Sequence, residues 1–236
     1  MNIFDSSVIK AIHHLSANSH RLNDFIYFIS ENDFIKGCVV VSVIWFFWFQ
    51  SNDNDNIIVR KKIINTLLSS IIAISLGLLL VQVFPYRTRP LVNPDYSSFF
   101  PFPLSTAPWF GKMSSMPSDH AVLFSAFAMG ICLISKKIGL LTFLYACLFI
   151  FLPRVYLGYH HPTDILAGMA LGILVTLVFS IRAVSDPISN RIVAFSYKHS
   201  GVFYLLFFWI CFQIATVFSS SHTILTYVRD VIFHNA

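Results

Sequence analysis

An all-α bundle that crosses a membrane about six times is the fold predicted by three features of this sequence. The chain of 236 residues is 56% hydrophobic and only 11% charged, whereas soluble domains carry about 25% charged residues. Its apolar residues fall into six long runs. Its basic residues gather in the polar stretches between alternate runs. A soluble protein with a mean hydropathy of +0.70 could not cover its own surface with polar groups. The length suits one compact helical unit, and residues 1–236 read as a single domain.

The elements follow in order. Residues 1–33 carry Phe4, Val8, Ile12 and Leu15, then Phe25, Phe28 and Ile29, at helical spacing with polar residues between them. That pattern predicts one or two amphipathic helices on the membrane surface. The same segment has no continuous apolar stretch of the kind found in a cleavable signal peptide. Six predicted spans follow: Phe34 to Phe49, which is the shortest in reach, Ile63 to Phe84, Ser118 to Ile134, Ile138 to Leu152, Ile165 to Ile181 and Val202 to Phe218. A crossing of about 30 Å needs about 17 to 25 residues, so several of these depend on their flanks. Ser51 to Asn56 reads as a polar turn. The long connection from Pro85 to Pro117 holds seven prolines, which exclude a regular helix, and aromatic residues including Phe99, Phe100, Phe102, Trp109 and Phe110. It reads either as a lid at a lipid entrance or as an interfacial anchor.

Charge placement predicts orientation. Arg60-Lys61-Lys62, Lys136-Lys137 and the connection containing Arg182, Arg191 and Lys198 lie between alternate spans and are predicted to be cytoplasmic. The remaining connections then face outward. Lys10, Arg21 and Lys36 oppose this assignment. The net charge of +5 suits anionic headgroups, and with no basic tract interleaved with aromatics, nucleic acid is set aside as a partner. Cys38, Cys132, Cys147 and Cys211 all lie inside apolar runs and read as free thiols, neither disulfides nor metal ligands.

Three stretches carry chemistry, and all sit where an apolar run meets water: Arg89-Pro90, Pro117-Ser118-Asp119-His120, and Arg154-x5-His160-x3-Asp164. A phosphate ester needs its charge held while phosphorus is attacked. Arginine supplies a planar, permanently charged fork for that purpose, so Arg89 and Arg154 are candidate clamps. Either alone would read as an arginine reaching to lipid headgroups. Pro117 and Ser118 have the residue types of a helix start, and a helix N-terminus also binds anions. His120, one turn in, has the chemistry of a general acid. Pro162 starts another helix, leaving His160 outside it and Asp164 inside, where a carboxylate can orient a nucleophilic imidazole. On bare chemistry His161 could be the reactive residue instead.

These stretches resemble the type 2 phosphatidic acid phosphatase (PAP2) superfamily, which shares its fold with vanadium haloperoxidases. The family pattern is K-x6-R-P, then P-S-G-H, then S-R-x5-H-x3-D, and the match covers residues 82–164. The resemblance implies that His160 is a nucleophile forming a phosphohistidine, that Asp164 orients it, and that His120 protonates the leaving group. It implies that Arg89, Arg154 and Ser118 bind phosphate, and that no metal or other cofactor is used. The substrate class it implies is a lipid phosphate or pyrophosphate in the membrane. Three positions depart from the pattern. Gln82 stands at the lysine position, where it offers hydrogen bonds but no charge. Asp119 replaces glycine and joins Gln82 among the candidate substrate contacts. Pro153 replaces serine. Arg87 reads as a headgroup contact or as the source of the charge that Gln82 lacks. Pro-Ser-Asp-His is similar to the bacterial undecaprenyl pyrophosphate phosphatase branch, and Gln82 with Pro153-Arg154-Val155 is similar to the lipid A phosphotransferase branch. The expected activity is therefore hydrolysis of undecaprenyl pyrophosphate to the monophosphate. The alternatives are transfer of that phosphate to lipid A, hydrolysis of phosphatidic acid or phosphatidylglycerophosphate, and an inactive relative that binds or transports lipid.

Overall fold

The computed structural model describes residues 2–50, 56–102 and 114–218. The described residues form helices joined by turns. In order these are α1 (Ile3–Ser16), α2 (His20–Glu31), α3 (Val39–Gln50), α4 (Asn56–Val83), α5 (Asp119–Ile134), α6 (Lys136–Ala146), α7 (Leu152–Tyr156), α8 (Pro162–Phe179), α9 (Arg182–Lys198) and α10 (Ser200–Ala215). A wide turn at Phe34–Cys38 leads into α3, and a second at Cys147–Phe151 joins α6 to α7.

Each predicted span is helical, but the length requirement is met by fewer of them. Ile57–Val83, Lys136–Tyr156 and Pro162–Phe179 are each long and apolar enough to cross a membrane. Ile57–Val83 also has the highest hydropathy of the three. A fourth crossing exists if α2 and Phe34–Gln50, which are bent by 63° at their junction, count as one broken span. Asp119–Ile134 and Ser200–Ala215 are apolar but shorter. The expected six crossings are thus three or four by length among the described residues. The polar turn at residues 51–55 and the connection at residues 103–113, with Trp109 and Phe110, lie outside the described residues.

The bundle is centred on α4, α5 and α8. Small residues let the backbones approach. Gly168 and Gly172, four apart on α8, face α5: a Cβ at Gly172 would lie 2.3 Å from the Val122 carbonyl oxygen, and one at Gly168 would lie 2.7 Å from that of Ser118. Such small-residue stripes are how membrane helices pack closely without a hydrophobic driving force between them. On α4 the facing residues include Thr66, Ser69, Ser70 and Ala73, all buried. Thr176 Oγ1 of α8 lies 3.1 Å from the Ala126 carbonyl of α5 and 3.2 Å from Ser69 Oγ of α4, joining all three helices through one hydroxyl. This packing fixes the N-terminal end of α5 beside that of α8, which is where the second and third motifs lie.

The connection with Arg182, Arg191 and Lys198 is itself a helix, α9. Its buried face is Ser185, Ser189, Val193 and Ser196, small residues that pack largely against α4. A stripe of serines is invisible to hydropathy. The amphipathic N-terminal helices pack over one end of the bundle, α1 against α8 and α7 and α2 against α7. Asp5 is fully buried there.

The ends of the bundle separate two kinds of charge. Lys61 Nζ lies 3.3 Å from Asp186 of α9, and Lys62 donates to the Leu133 carbonyl of α5 at 2.7 Å. The three basic segments therefore share one end. Because α4, α5, the α6–α7 pair and α8 alternate in direction, the motif residues share the other.

Candidate active site

Local sequence explains how each element presents its side chain. Pro153 has no N–H and its ring would collide with the carbonyl four residues back. The wide turn at Cys147–Phe151 immediately before it absorbs that conflict. Arg154 follows on α7 and is buried. Its carbonyl accepts N–H groups from Tyr159 at 2.9 Å and His160 at 3.2 Å, folding the next loop back over α7. Gly158 takes a positive φ of 74°, and a Cβ there would sit 2.7 Å from the Phe100 ring. Its carbonyl accepts from Leu91 N–H at 2.9 Å, which docks the Arg89-Pro90 segment against the same loop. Ser118 caps α5, its Oγ accepting from Ala121 N–H at 3.5 Å, and its own N–H donates to the Asp164 carbonyl at 3.2 Å.

These arrangements bring Arg89, Ser118, Asp119, His120, Arg154, His160 and Asp164 together. His160 Nδ1 lies 2.8 Å from the Ser115 carbonyl, a contact in which the ring nitrogen donates. That leaves the Nε2 lone pair as an acceptor, taking a hydrogen bond from Arg89 Nη1 at 3.3 Å, with Asp119 Oδ1 3.8 Å away. Arg89 is steadied by donating from Nη1 to the Tyr159 carbonyl at 2.9 Å. Opposite, His120 Nδ1 is 2.8 Å from Asp119 Oδ1, and its Nε2 is 2.6 Å from Arg154 Nη2. Arg154 also lies 5.3 Å over the Tyr159 ring, with Glu31 of α2 3.8 Å from Nη1. Its Nε is buried without a hydrogen-bond partner among the described residues, as is Ser115 Oγ. Buried donors of this kind are normally satisfied, and a phosphate oxygen has the chemistry to do so.

Burial, and next the Arg89 guanidinium, hold His160 below the usual imidazole range. Burial likewise lowers His161. The His161 Nε2 points at the Thr88 carbonyl, 3.1 Å away, a contact in which the ring nitrogen donates, so this nitrogen has no lone pair to offer phosphorus.

Several expectations change here. Asp164 does not hydrogen-bond His160 directly: its Oδ2 lies 3.8 Å from Nδ1 and accepts instead from His161 N–H at 2.8 Å. The Ser115 carbonyl takes the ring proton. Asp119, expected among the substrate contacts, hydrogen-bonds His120. A carboxylate has no donor for a phosphate oxygen, and an imidazole N–H beside it is the better partner. Gln82 is exposed on α4 and, among the described residues, makes none of the contacts that join the site. Arg87 is neither a headgroup contact nor an idle charge. It donates to Asp5 at 2.7 Å and to Asp164, spending its fork on two buried carboxylates. Motif spacing could not reveal Asp5, Ser115 or Glu31. Only Lys36, a cation inside an apolar stretch, carried a signal: it is buried, 3.0 Å from Asp33, and within Coulombic range of Arg154 and His120.

The PAP2 superfamily pattern matches residues 66–185, which include the ends of all three motifs from Gln82 to Asp164. The chain belongs to the PAP2 superfamily. Within it, undecaprenyl-diphosphatase BcrC of Bacillus subtilis is 24% identical over 172 residues, covering 73% of this chain and 80% of that protein. The lipid A 1-phosphatase of Rhizobium johnstonii is 31% identical over 97 residues, 40% of this chain and 37% of that one. A crystal structure of a transmembrane PAP2 type phosphatidylglycerolphosphate phosphatase from Bacillus subtilis aligns with a TM-score of 0.44 at 20% identity, covering 79% of this chain and 89% of that chain. As a PAP2 protein built of apolar helices, this chain is a membrane phosphatase of lipid phosphates.

Proposed function

We propose that the chain hydrolyses a polyprenyl diphosphate, of which undecaprenyl diphosphate is the type, to the monophosphate and inorganic phosphate through a phosphohistidine on His160. The observation that carries the reading is that two imidazoles meet at one carboxylate oxygen: the unprotonated Nε2 of His160, beside Arg89, lies 3.8 Å from Asp119 Oδ1, and His120, beside Arg154, bonds that same oxygen at 2.8 Å. His160 Nε2 attacks the terminal phosphorus. The bond from phosphorus to the bridging oxygen breaks, and the polyprenyl phosphate leaves with the proton of His120. His120, now neutral, removes a proton from water. The hydroxide attacks the phosphohistidine, the P–N bond breaks to Nε2, and inorganic phosphate is released. Arg89 and Arg154 neutralise the charge on the transferring group throughout. Asp119 holds His120 by its Nδ1 proton and stabilises the imidazolium.

The diphosphate is favoured over other lipids by the similarity to undecaprenyl-diphosphatase BcrC, which spans most of both chains. Phosphate release from purified protein, measured on polyprenyl diphosphate, phosphatidic acid, phosphatidylglycerophosphate and a lipid A 1-phosphate, tests the reading. A preference for any monoester over the diphosphate would overturn it. Adding lipid A as acceptor separates hydrolysis from transfer, since transfer would phosphorylate the acceptor in place of releasing phosphate.

The active site is proposed to face the periplasm or cell exterior, because the three basic segments share the opposite end of the bundle. Ser98 is exposed near the site end. A cysteine there is expected to react with an impermeant thiol reagent in cells with a permeabilised outer membrane. Protection until the inner membrane is breached would reverse the orientation.

The pH dependence follows from His160. Only the neutral imidazole attacks phosphorus, so kcat/KM rises with pH through its pKa. Because burial and Arg89 lower that pKa, the acid limb is expected below about pH 6.5, the unperturbed imidazole value. An acid limb centred above pH 7 would show that another group controls the rate.

A further inference from the structure

We propose that Asp5 and Arg87 are positioning residues for the His160–Asp164 pair, so that the N-terminal helix α1 is a working part of the active site. The inference rests on the reading of His160 as nucleophile and deepens it.

The geometry forms one chain of contacts. Asp5 Oδ1 accepts from Thr163 N–H at 3.0 Å, and Oδ2 accepts from Thr163 Oγ1 at 2.8 Å and Arg87 Nη2 at 2.7 Å. Arg87 Nη1 donates to Asp164 Oδ1 and to Thr163 Oγ1, the latter at 2.9 Å. The other oxygen of Asp164 faces His160 and accepts the His161 N–H. Both carboxylates are fully buried. Asp5 thus caps the start of α8 and holds one side of the guanidinium, whose other side holds Asp164.

Charge explains why the parts act together. Two buried carboxylates share one guanidinium, leaving a net negative charge next to the imidazole that gains positive character as its Nε2 bonds to phosphorus. Removing either member of a buried pair leaves the other uncompensated. Without Arg87, Asp164 would be free to turn toward His160 or take up a proton. Without the charge of Asp5, Arg87 would be drawn wholly to Asp164. Either change moves the loop Tyr159–Asp164 that presents His160. Asp5 and Thr163 are 158 residues apart in sequence, and the second end of α1 is fastened as well. His13 Nδ1 lies 3.1 Å from the Phe99 carbonyl, and the His13 and Phe99 rings stack at 4.7 Å. Helix α1 is held at the site by one end and at the loop before residue 103 by the other.

A phosphate clamp and a positioning residue differ in what they change. Loss of a clamp weakens ground-state binding, whereas loss of positioning lowers kcat with KM little altered. The test uses the full-length protein in detergent and compares Asp5→Asn, Arg87→Met, Arg87→Lys and the double variant Asp5→Asn/Arg87→Met. The readouts are kcat and KM on the diphosphate lipid, competitive inhibition by inorganic phosphate, and thermal unfolding. The expected result is a fall in kcat of about tenfold for Asp5→Asn and about 100-fold for Arg87→Met, the size of a misplacement effect, with phosphate inhibition unchanged within about twofold. Arg87→Lys should recover part of kcat because it restores the charge. The double variant should be no slower than Arg87→Met, since the two residues act as a unit. Weakened inhibition by inorganic phosphate in parallel with kcat would make Arg87 a clamp and overturn the proposal, as would multiplicative losses in the double variant. A wild-type protein that is active but insensitive to both substitutions would overturn it while leaving the His160 reading intact. Labelled phosphoenzyme trapped from a His160→Ala protein would remove the reading beneath it.

Discussion

His160→Ala is expected to lose at least about 10⁴-fold in kcat, the scale on which removal of a catalytic nucleophile acts, with lipid binding retained. The argument is positional. Nδ1 is committed to the Ser115 carbonyl, so Nε2 is the atom with a lone pair, and it faces Arg89. Rapid quenching of the wild-type protein with a lipid labelled on its terminal phosphate should trap a phosphoenzyme that is stable in base and labile in acid, the behaviour of a P–N bond. His161→Ala is the control, because its Nε2 is committed to the Thr88 carbonyl. It should keep forming phosphoenzyme. The opposite result, with His160→Ala labelled and His161→Ala not, would move the nucleophile one residue along and undo the geometry argued here.

How much of this was legible in the sequence depends on the range over which each feature acts. Apolar runs report local burial, so each predicted span is a helix, and regular spacing found the N-terminal helices. Motifs report short-range chemistry, so seven of the eight candidate residues converge. What failed was information held between distant elements. Arg87 and Arg89 are two residues apart and chemically identical, yet one faces His160 and the other faces two carboxylates. The Arg-Pro motif picks out Arg89, but nothing local assigns Arg87, because Asp5, which decides its place, lies on another helix. Gln82 was placed in the site by its offset from Arg89, but it sits on the exposed face of α4, so the first motif rests on Arg89-Pro90. Helix α9 was missed for a different reason. Its buried face is built of serines, so its packing is steric and leaves no hydrophobic period to read. Hydropathy alone does not fix the crossing count, because α5 and α10 are apolar along their length but shorter than the helices that meet the length criterion.

Removal of His120 should reveal which bond the protein was built to break. His120→Ala deletes the imidazole held between Asp119 and Arg154, the proposed proton donor to the leaving oxygen and later the base that activates water. The two steps can be separated in time. The first turnover, read as a burst of phosphoenzyme, measures only the attack of His160. On an alkyl phosphate monoester the leaving group is an alkoxide and must be protonated, so the burst rate should fall by about 10²–10⁴-fold, the usual scale of general acid catalysis. On a diphosphate lipid the leaving group is itself a phosphate monoester, whose second ionisation lies near about 6. It departs as a stable anion, and the burst should slow by no more than about tenfold on the same argument. Steady-state turnover should then fall equally on both substrates, because the phosphohistidine that water must attack is the same whichever lipid donated the phosphate. Asp119→Asn should show this pattern in milder form, since an amide still accepts the Nδ1 proton but cannot stabilise an imidazolium by charge. Equal loss of burst rate on monoester and diphosphate would mean that His120 does not protonate the leaving group. A burst untouched on both, with turnover lost, would confine His120 to the hydrolysis of the phosphoenzyme.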